Sequence, residues 1–252
     1  MSVIAPERSC STIDQYVNDL AASVHKHEAL DNEFYTRWIG GPLSYLEVRV
    51  FVEQYLARTV NTSVMVALSV LNTADLNARV ECVKNLYSEY GNGNPEKAHL
   101  VLLESFLSDL LTRLKGASVP IEDIRAAPPL PTTTAFSTGQ RELFTSDDQR
   151  VVQGALLAQE HLAYSMLTRL YEGVRNYKSV YDSDDEFHEA CEYFYIHIGE
   201  AEKDHKAEAV ISTAAVCGNE GDLKAVTEGF TRFLDLTVDY WQGVADEMRR
   251  RR

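Results

Sequence analysis

Basic residues are scarce in this chain. Its 252 residues include 24 Lys and Arg against 38 Asp and Glu, a formal net charge of -14. Phosphate neutralisation needs clustered cations, so this balance excludes an ordinary nucleic-acid binder. The one basic cluster, Arg249 to Arg252, follows a predicted helix end, where positive charge complements the macrodipole; a partner-binding tail is the other reading. Cysteine is equally thin. Cys10, Cys82, Cys191 and Cys217 form no CxxC pair, which argues against a zinc knuckle or a disulfide scaffold and fits reduced thiols. No apolar run approaches the length needed to span a bilayer, and the start MSVIAPERSCSTIDQ lacks a basic region followed by an apolar core. The expected location is therefore the cytoplasm, with no membrane contact. Alternating apolar and polar runs joined by hairpin turns are also missing, which removes the sheet-based folds.

What is present is helical periodicity almost throughout, in a chain that is 45% hydrophobic and 25% charged and so able to bury a sizeable core. The expected fold is all-α: one bundle of about seven to eight helices over 1–252. Ser11 or Thr12 caps a first helix to about Leu30, and Ser44 opens a long one through the apolar stretch ending near Leu71. Thr73 and Asp75 start the next, with Glu89 near its end. GNGNP at 91–95 stops that helix, and its successor carries His99 in the first turns. Residues 116–146, rich in Pro and Thr, read as an irregular connection with one or two helical turns. Ser146 caps a long helix through Val174, and two more helices follow, over 182–216 and 221–250.

Several carboxylates and imidazoles fall on these helices in positions where a metal ion would explain them. Glu202 and His205, three apart, share a helix face and can ligate one ion together. His197 lies upstream but, at about 100° per residue, is roughly 140° from Glu202 on a regular helix. A π-bulge near Ile198 to Ala201 would bring His197, Glu202 and His205 onto one side. The regular alternative pairs His197 with Glu200, or His205 with Asp204. Glu160 interrupts an apolar helix face, where a buried carboxylate needs a metal, a cation or hydrogen-bond donors; it is a ligand or half of an ion pair with Arg58 or Arg169. His161 points about 100° away from it. His25 and His27 could serve a haem iron but sit in what reads as an exposed helix end, and His188 reads as exposed.

The runs FYTRWIGGPLSYLEVRVFVEQY, NLYSEYGNGNPEKAH, GALLAQEHLAYSML and YFYIHIGEAEKDH together resemble the haem-oxygenase-like di-iron oxidases. That family includes a fatty-acid decarboxylase, amino-acid N-oxygenases and lyases, and the chlamydial protein associating with death domains. The resemblance covers most of the chain. It implies a ligand set of Glu89, His99, Glu160, His197, an acidic residue and His205, holding two Fe(II) ions that activate dioxygen as co-substrate. In the late motif the family spaces its first His and acidic residue by three residues, whereas four stand here, so Glu202 takes the acidic place with Glu200 and Asp204 as alternatives.

The function expected from this resemblance is oxidation of a small molecule: an amino acid or derivative, by N-oxygenation, desaturation or C–C cleavage. Tyr55, Arg58 and Tyr195 are expected to supply polar groups to the substrate pocket. Decarboxylation of a fatty acid is the alternative on the same site. A cofactor-free, thiaminase-like enzyme and a non-catalytic interaction protein are the readings without metal. Manganese shares the ligand preferences of iron. An external electron donor and a homodimer are both compatible with the reading.

Overall fold

Asn, Ser and Asp side chains at helix starts divide the chain into its elements. The computed structural model describes residues 10–198 and 201–252, with the backbone alone at 10, 11 and 201–205. It contains α1 (Cys10–Ser23), α2 (Glu33–Gly40), α3 (Tyr45–Thr59), α4 (Thr62–Asn72), α5 (Leu76–Glu89), α6 (His99–Lys115), α7 (Ile121–Arg125), α8 (Pro131–Phe144), α9 (Gln149–Val174), α10 (Asp184–Ala190), α11 (Glu192–Ile198), α12 (Ala201–Ala215) and α13 (Glu220–Arg250). No strand occurs among the described residues, and the all-α class is as expected.

The helix starts follow from local chemistry. Asn32 accepts from Tyr35 N, Asp75 accepts from Ala78 N, and Ser44 and Asn219 each form a reciprocal capping box with an acidic residue three positions on. Before α9 the cap is Asp148 rather than Ser146, whose hydroxyl instead accepts from Asp148 N.

The helices outnumber the expected seven or eight because three long segments break and because α2, α7 and α8 form outside the expected helices. The first stops at Ser23 and finishes in a 3-10 turn over Val24–Lys26. The second breaks at Val60 and Asn61 between α3 and α4. The segment over 182–216 divides into α10, α11 and α12, and the bulge expected near Ile198 to Ala201 falls on residues outside the described ones.

Residues 116–146 also differ from the expected irregular connection. Pro131 begins a helix of 14 residues, a position where its missing N–H costs nothing. Thr133, Phe136, Gln140 and Leu143 recur at helical spacing and are buried, so packing overrides the modest helix propensity of PTTTAFSTG.

α9 and α13 form the axis of the bundle and approach closely through two glycines. A Cβ at Gly154 would stand 2.0 Å from the Val226 carbonyl oxygen, and one at Gly229 would stand 2.1 Å from that of Val151. α9 is therefore enclosed along most of its length, with α2, α8, α11 and α12 packed around it. Trp38 ties α2 to it by donating from Nε1 to the Leu170 carbonyl at 2.8 Å. A carboxylate midway along such a helix has no route to solvent except through a cavity.

Candidate metal centre

Glu89 is the last residue of α5 and His99 the first of α6, and the nine residues between them fold back tightly. Gly91, Asn92 and Gly93 take positive φ in succession, at 68°, 53° and 90°. A Cβ on Gly91 would lie 2.6 Å from the Lys97 carbonyl carbon, so only glycine fits where the two 3-10 turns meet. Tyr87 Oη donates to the Asn92 carbonyl at 2.6 Å and fastens the turn. The result sets His99 Nδ1 3.4 Å from Glu89 Oε1.

α11 brings a third group. The His197 ring stands edge-on to that of His99, with centroids 4.4 Å apart. Its Nδ1 lies 2.7 Å from the Tyr193 carbonyl, one turn earlier in the same helix. A carbonyl only accepts, so Nδ1 carries the proton and Nε2 keeps its lone pair. One ligand atom each from Glu89, His99 and His197 lies within 4.8 Å of the others.

The Glu89–His99 separation suits a single ion. Two donor atoms each about 2.1 Å from one metal at tetrahedral or octahedral angles are themselves about 3.0–3.4 Å apart. His99 Nδ1 is buried and makes no hydrogen bond, the state of a donor atom that a metal would satisfy. Burial opposes the charge on Glu89, but contact with His99, the charges of His99 and His197 and the Ser63 hydroxyl prevail and hold its carboxyl below the ordinary range. The site therefore offers an anionic oxygen and two imidazoles.

Glu160 enters the same cavity from α9 and is buried. Gln140 Nε2 donates to Gln159 Oε1 at 3.1 Å, and Gln159 Nε2 donates to Glu160 Oε1 at 3.2 Å. This relay from α8 orients the carboxylate. Neither Arg58 nor Arg169 makes an ion pair among the described residues, so the expected ion-pair alternative for Glu160 is not the arrangement present. Glu202 and His205 stand on α12, which packs against α5 and α9; their side chains, and those of Glu200 and Asp204, lie outside the described residues.

The cavity measures about 60 Å³, smaller than most small-molecule sites. Tyr55 and Arg58 line it, as expected. Tyr55 Oη and Tyr193 Oη lie 3.2 Å apart, and the Tyr193 ring packs on His197 at 4.6 Å. Tyr195 does not line the cavity. Its hydroxyl meets Tyr171 Oη at 2.8 Å and His188 Nδ1 at 2.5 Å on the outer side of α11. The physical reason is helical phase: Tyr193 and His197, four apart, share the inner face, and Tyr195 is turned away between them.

The remaining imidazoles lie elsewhere. His25 and His188 are exposed, and His27 accepts from Ala29 N at 3.2 Å. None of the three lines the cavity, which gives the haem reading no support. His161 is half-buried on α9 and does not line the cavity. Sequence reasoning missed Ser63, Gln140, Gln159 and Tyr193. Only the spacing of Tyr193 to His197 carried a signal that could have found one of them.

An all-helical bundle with a carboxylate and imidazole cluster gathered in one interior cavity has a place where a metal ion could be held. The sequence profile of a family described as an iron-containing redox enzyme matches residues 49–238, and the chain belongs to that family. It is 24% identical over 235 residues to 4-chloro-allylglycine synthase of Streptantibioticus cattleyicolor, covering 93% of this chain and 84% of that enzyme. Among solved structures, a CADD-like protein of unknown function from Nostoc punctiforme superposes with a TM-score of 0.75 at 18% identity, covering 94% of this chain and 98% of that one. A domain of unknown function with a heme oxygenase-like fold from Shewanella denitrificans gives 0.65 at 16% identity, covering 98% and 95%. The fold is thus haem-oxygenase-like. No helix among the described residues is long and apolar enough to cross a membrane.

Proposed function

We propose that this protein is a non-haem di-iron oxygenase or oxidase that uses dioxygen to oxidise a small amino acid or amino-acid derivative. The observation that carries the reading is the convergence of Glu89, His99 and His197 beside buried Glu160 in one cavity. Glu89, His99, Glu160 and His197 hold the ions together with an acidic residue of the late motif, Glu202, and His205. Two ferrous ions bound there supply electrons and open positions for dioxygen.

The chain's own groups do the rest. The three carboxylates, Glu89, Glu160 and Glu202, would place negative charge beside the ions and favour their oxidised state. The Tyr193 carbonyl fixes the His197 tautomer, and the Gln140–Gln159 relay fixes Glu160. The paired hydroxyls of Tyr55 and Tyr193 keep their protons, because burial pushes both phenols above their ordinary range, and offer neutral hydrogen-bonding groups at the cavity wall. The amino-acid substrate class is supported by the polar groups lining the cavity and by the similarity to 4-chloro-allylglycine synthase of Streptantibioticus cattleyicolor, named for an amino-acid product.

The test is anaerobic titration with ferrous iron, then exposure to dioxygen with a panel of amino acids and fatty acids while the visible spectrum is followed. Two irons per chain and a transient band seen only with amino acids support the reading. A band with fatty acids alone moves the substrate to that class. No iron uptake, with Glu202→Ala and His205→Ala indistinguishable from the parent, overturns it.

A further inference from the structure

Arg58 is 93% buried on the last turn of α3, and its guanidinium lines the same cavity as the carboxylates and imidazoles. Its carbon lies 4.4 Å from the centroid of the Phe136 ring and 5.4 Å from that of Tyr240, so two aromatic faces from α8 and α13 support the fork. Among the described residues it makes no ion pair and no hydrogen bond, and its buried Nε has no acceptor.

A buried cation without a counter-ion is costly. The groups nearest in charge terms do not supply one. Tyr35, Tyr55, Tyr193 and Tyr240 all lie in the field of Arg58, yet burial outweighs that field and keeps every one of these phenols neutral. The cavity carboxylates Glu89 and Glu160 are committed to the metal positions. A buried guanidinium with no acceptor among the described residues describes a receptor for an anionic oxygen group.

We infer that Arg58 is the substrate anchor and that the substrate is a carboxylate, held at its planar anionic end by the guanidinium while the remainder of the molecule faces Glu89, His99 and His197. The inference rests on the proposed enzymatic reading and names the residue that positions its substrate. A planar guanidinium matches a carboxylate through two parallel hydrogen bonds, which a lysine cannot reproduce. Amino acids and fatty acids share this chemistry, and the test separates them.

The experiment is calorimetric titration of the iron-loaded protein without dioxygen, which permits binding and no turnover. The probes are paired: L-norvaline against L-norvalinamide, L-lysine against L-lysinamide, and decanoate against decanamide. The parent is expected to bind one or more of the acids at least about tenfold more tightly than its amide. Arg58→Met should abolish that preference, and Arg58→Lys should restore it only in part. Preference confined to the amino acids, or to decanoate, identifies the source of the carboxylate. Equal binding of acid and amide by the parent, including no measurable binding of either, overturns the inference. So does an undiminished preference in Arg58→Met. Iron stoichiometry measured on the same samples keeps the two claims apart. Two irons in parent and variant with no acid preference leaves the di-iron reading standing and removes only the anchor.

Discussion

The Nδ1 atom of His197 donates to the carbonyl oxygen of Tyr193 at 2.7 Å, and this one bond decides which ring nitrogen is left to bind a metal. Because the acceptor is backbone, no substitution of the Tyr193 side chain removes it directly. His197→Ala should therefore act on the metal alone: ferrous titration is expected to lose one iron per chain, or at least about tenfold in affinity. Circular dichroism should remain that of the parent. Unchanged stoichiometry and affinity would remove His197 from the ligand set.

Gly91 offers a sharper separation of fold from site. Alanine there would require φ near +68° and would push Cβ to 2.6 Å from the Lys97 backbone. The turn between α5 and α6 must then shift, carrying His99 away from Glu89. Gly91→Ala is expected to weaken iron binding at least about tenfold while costing about 1–3 kcal/mol of stability. Gly40→Ala, where a Cβ meets nothing within 4 Å, is the control and should leave iron binding unchanged.

The α9–α13 contact predicts the reverse pattern. A Cβ on Gly154 would be 2.0 Å from the Val226 carbonyl oxygen, backbone that cannot rotate aside. Glycine to alanine inside a helix ordinarily gains about 1 kcal/mol. Here Gly154→Ala is expected to lose about 1–3 kcal/mol instead, a fall in Tm of several degrees by thermal denaturation. A rise in Tm would mean that the two helices do not touch as described.

His161 sets an expectation for acid stability. Burial, then the charges of Lys206 and His25, lower its pKa from 6.5 to about 4. Its Nε2 is buried without a partner. The unfolded chain therefore binds a proton between pH 6.5 and pH 4 that the folded chain does not, and stability falls as pH drops through that window. The loss is on the order of 2–3 kcal/mol by pH 4. His161→Leu should flatten this part of the urea-denaturation profile of the metal-free protein. An unchanged slope would place the acid sensitivity elsewhere.

Which of these features could be read before the fold was known follows from the range of the interaction behind each. Caps at Ser44 and Asp75, the stop at GNGNP and the late helix from Gly221 depend on residues within a few positions, so local chemistry determined them. The pairing of Glu89 with His99 belongs to the same class, because one tight turn joins them. The helix at 131–144 did not, since its polar threonines become helical only when Phe136, Gln140 and Leu143 meet the rest of the core.

The site divides in the same way. Residue types and spacing determined the candidate ligands, and the helical phase of Tyr193 and His197 was already contained in their separation. Tertiary packing alone decided that Glu160, far along the chain, shares a cavity with Glu89, His99 and His197. It also decided that Tyr195 faces outward, that Gln140 reaches Glu160 through Gln159, and that Arg58 is enclosed by aromatic rings instead of paired with a carboxylate. Those facts depend on contacts between segments tens of residues apart, and no local pattern encodes which buried charge will find a partner and which will be left to a ligand.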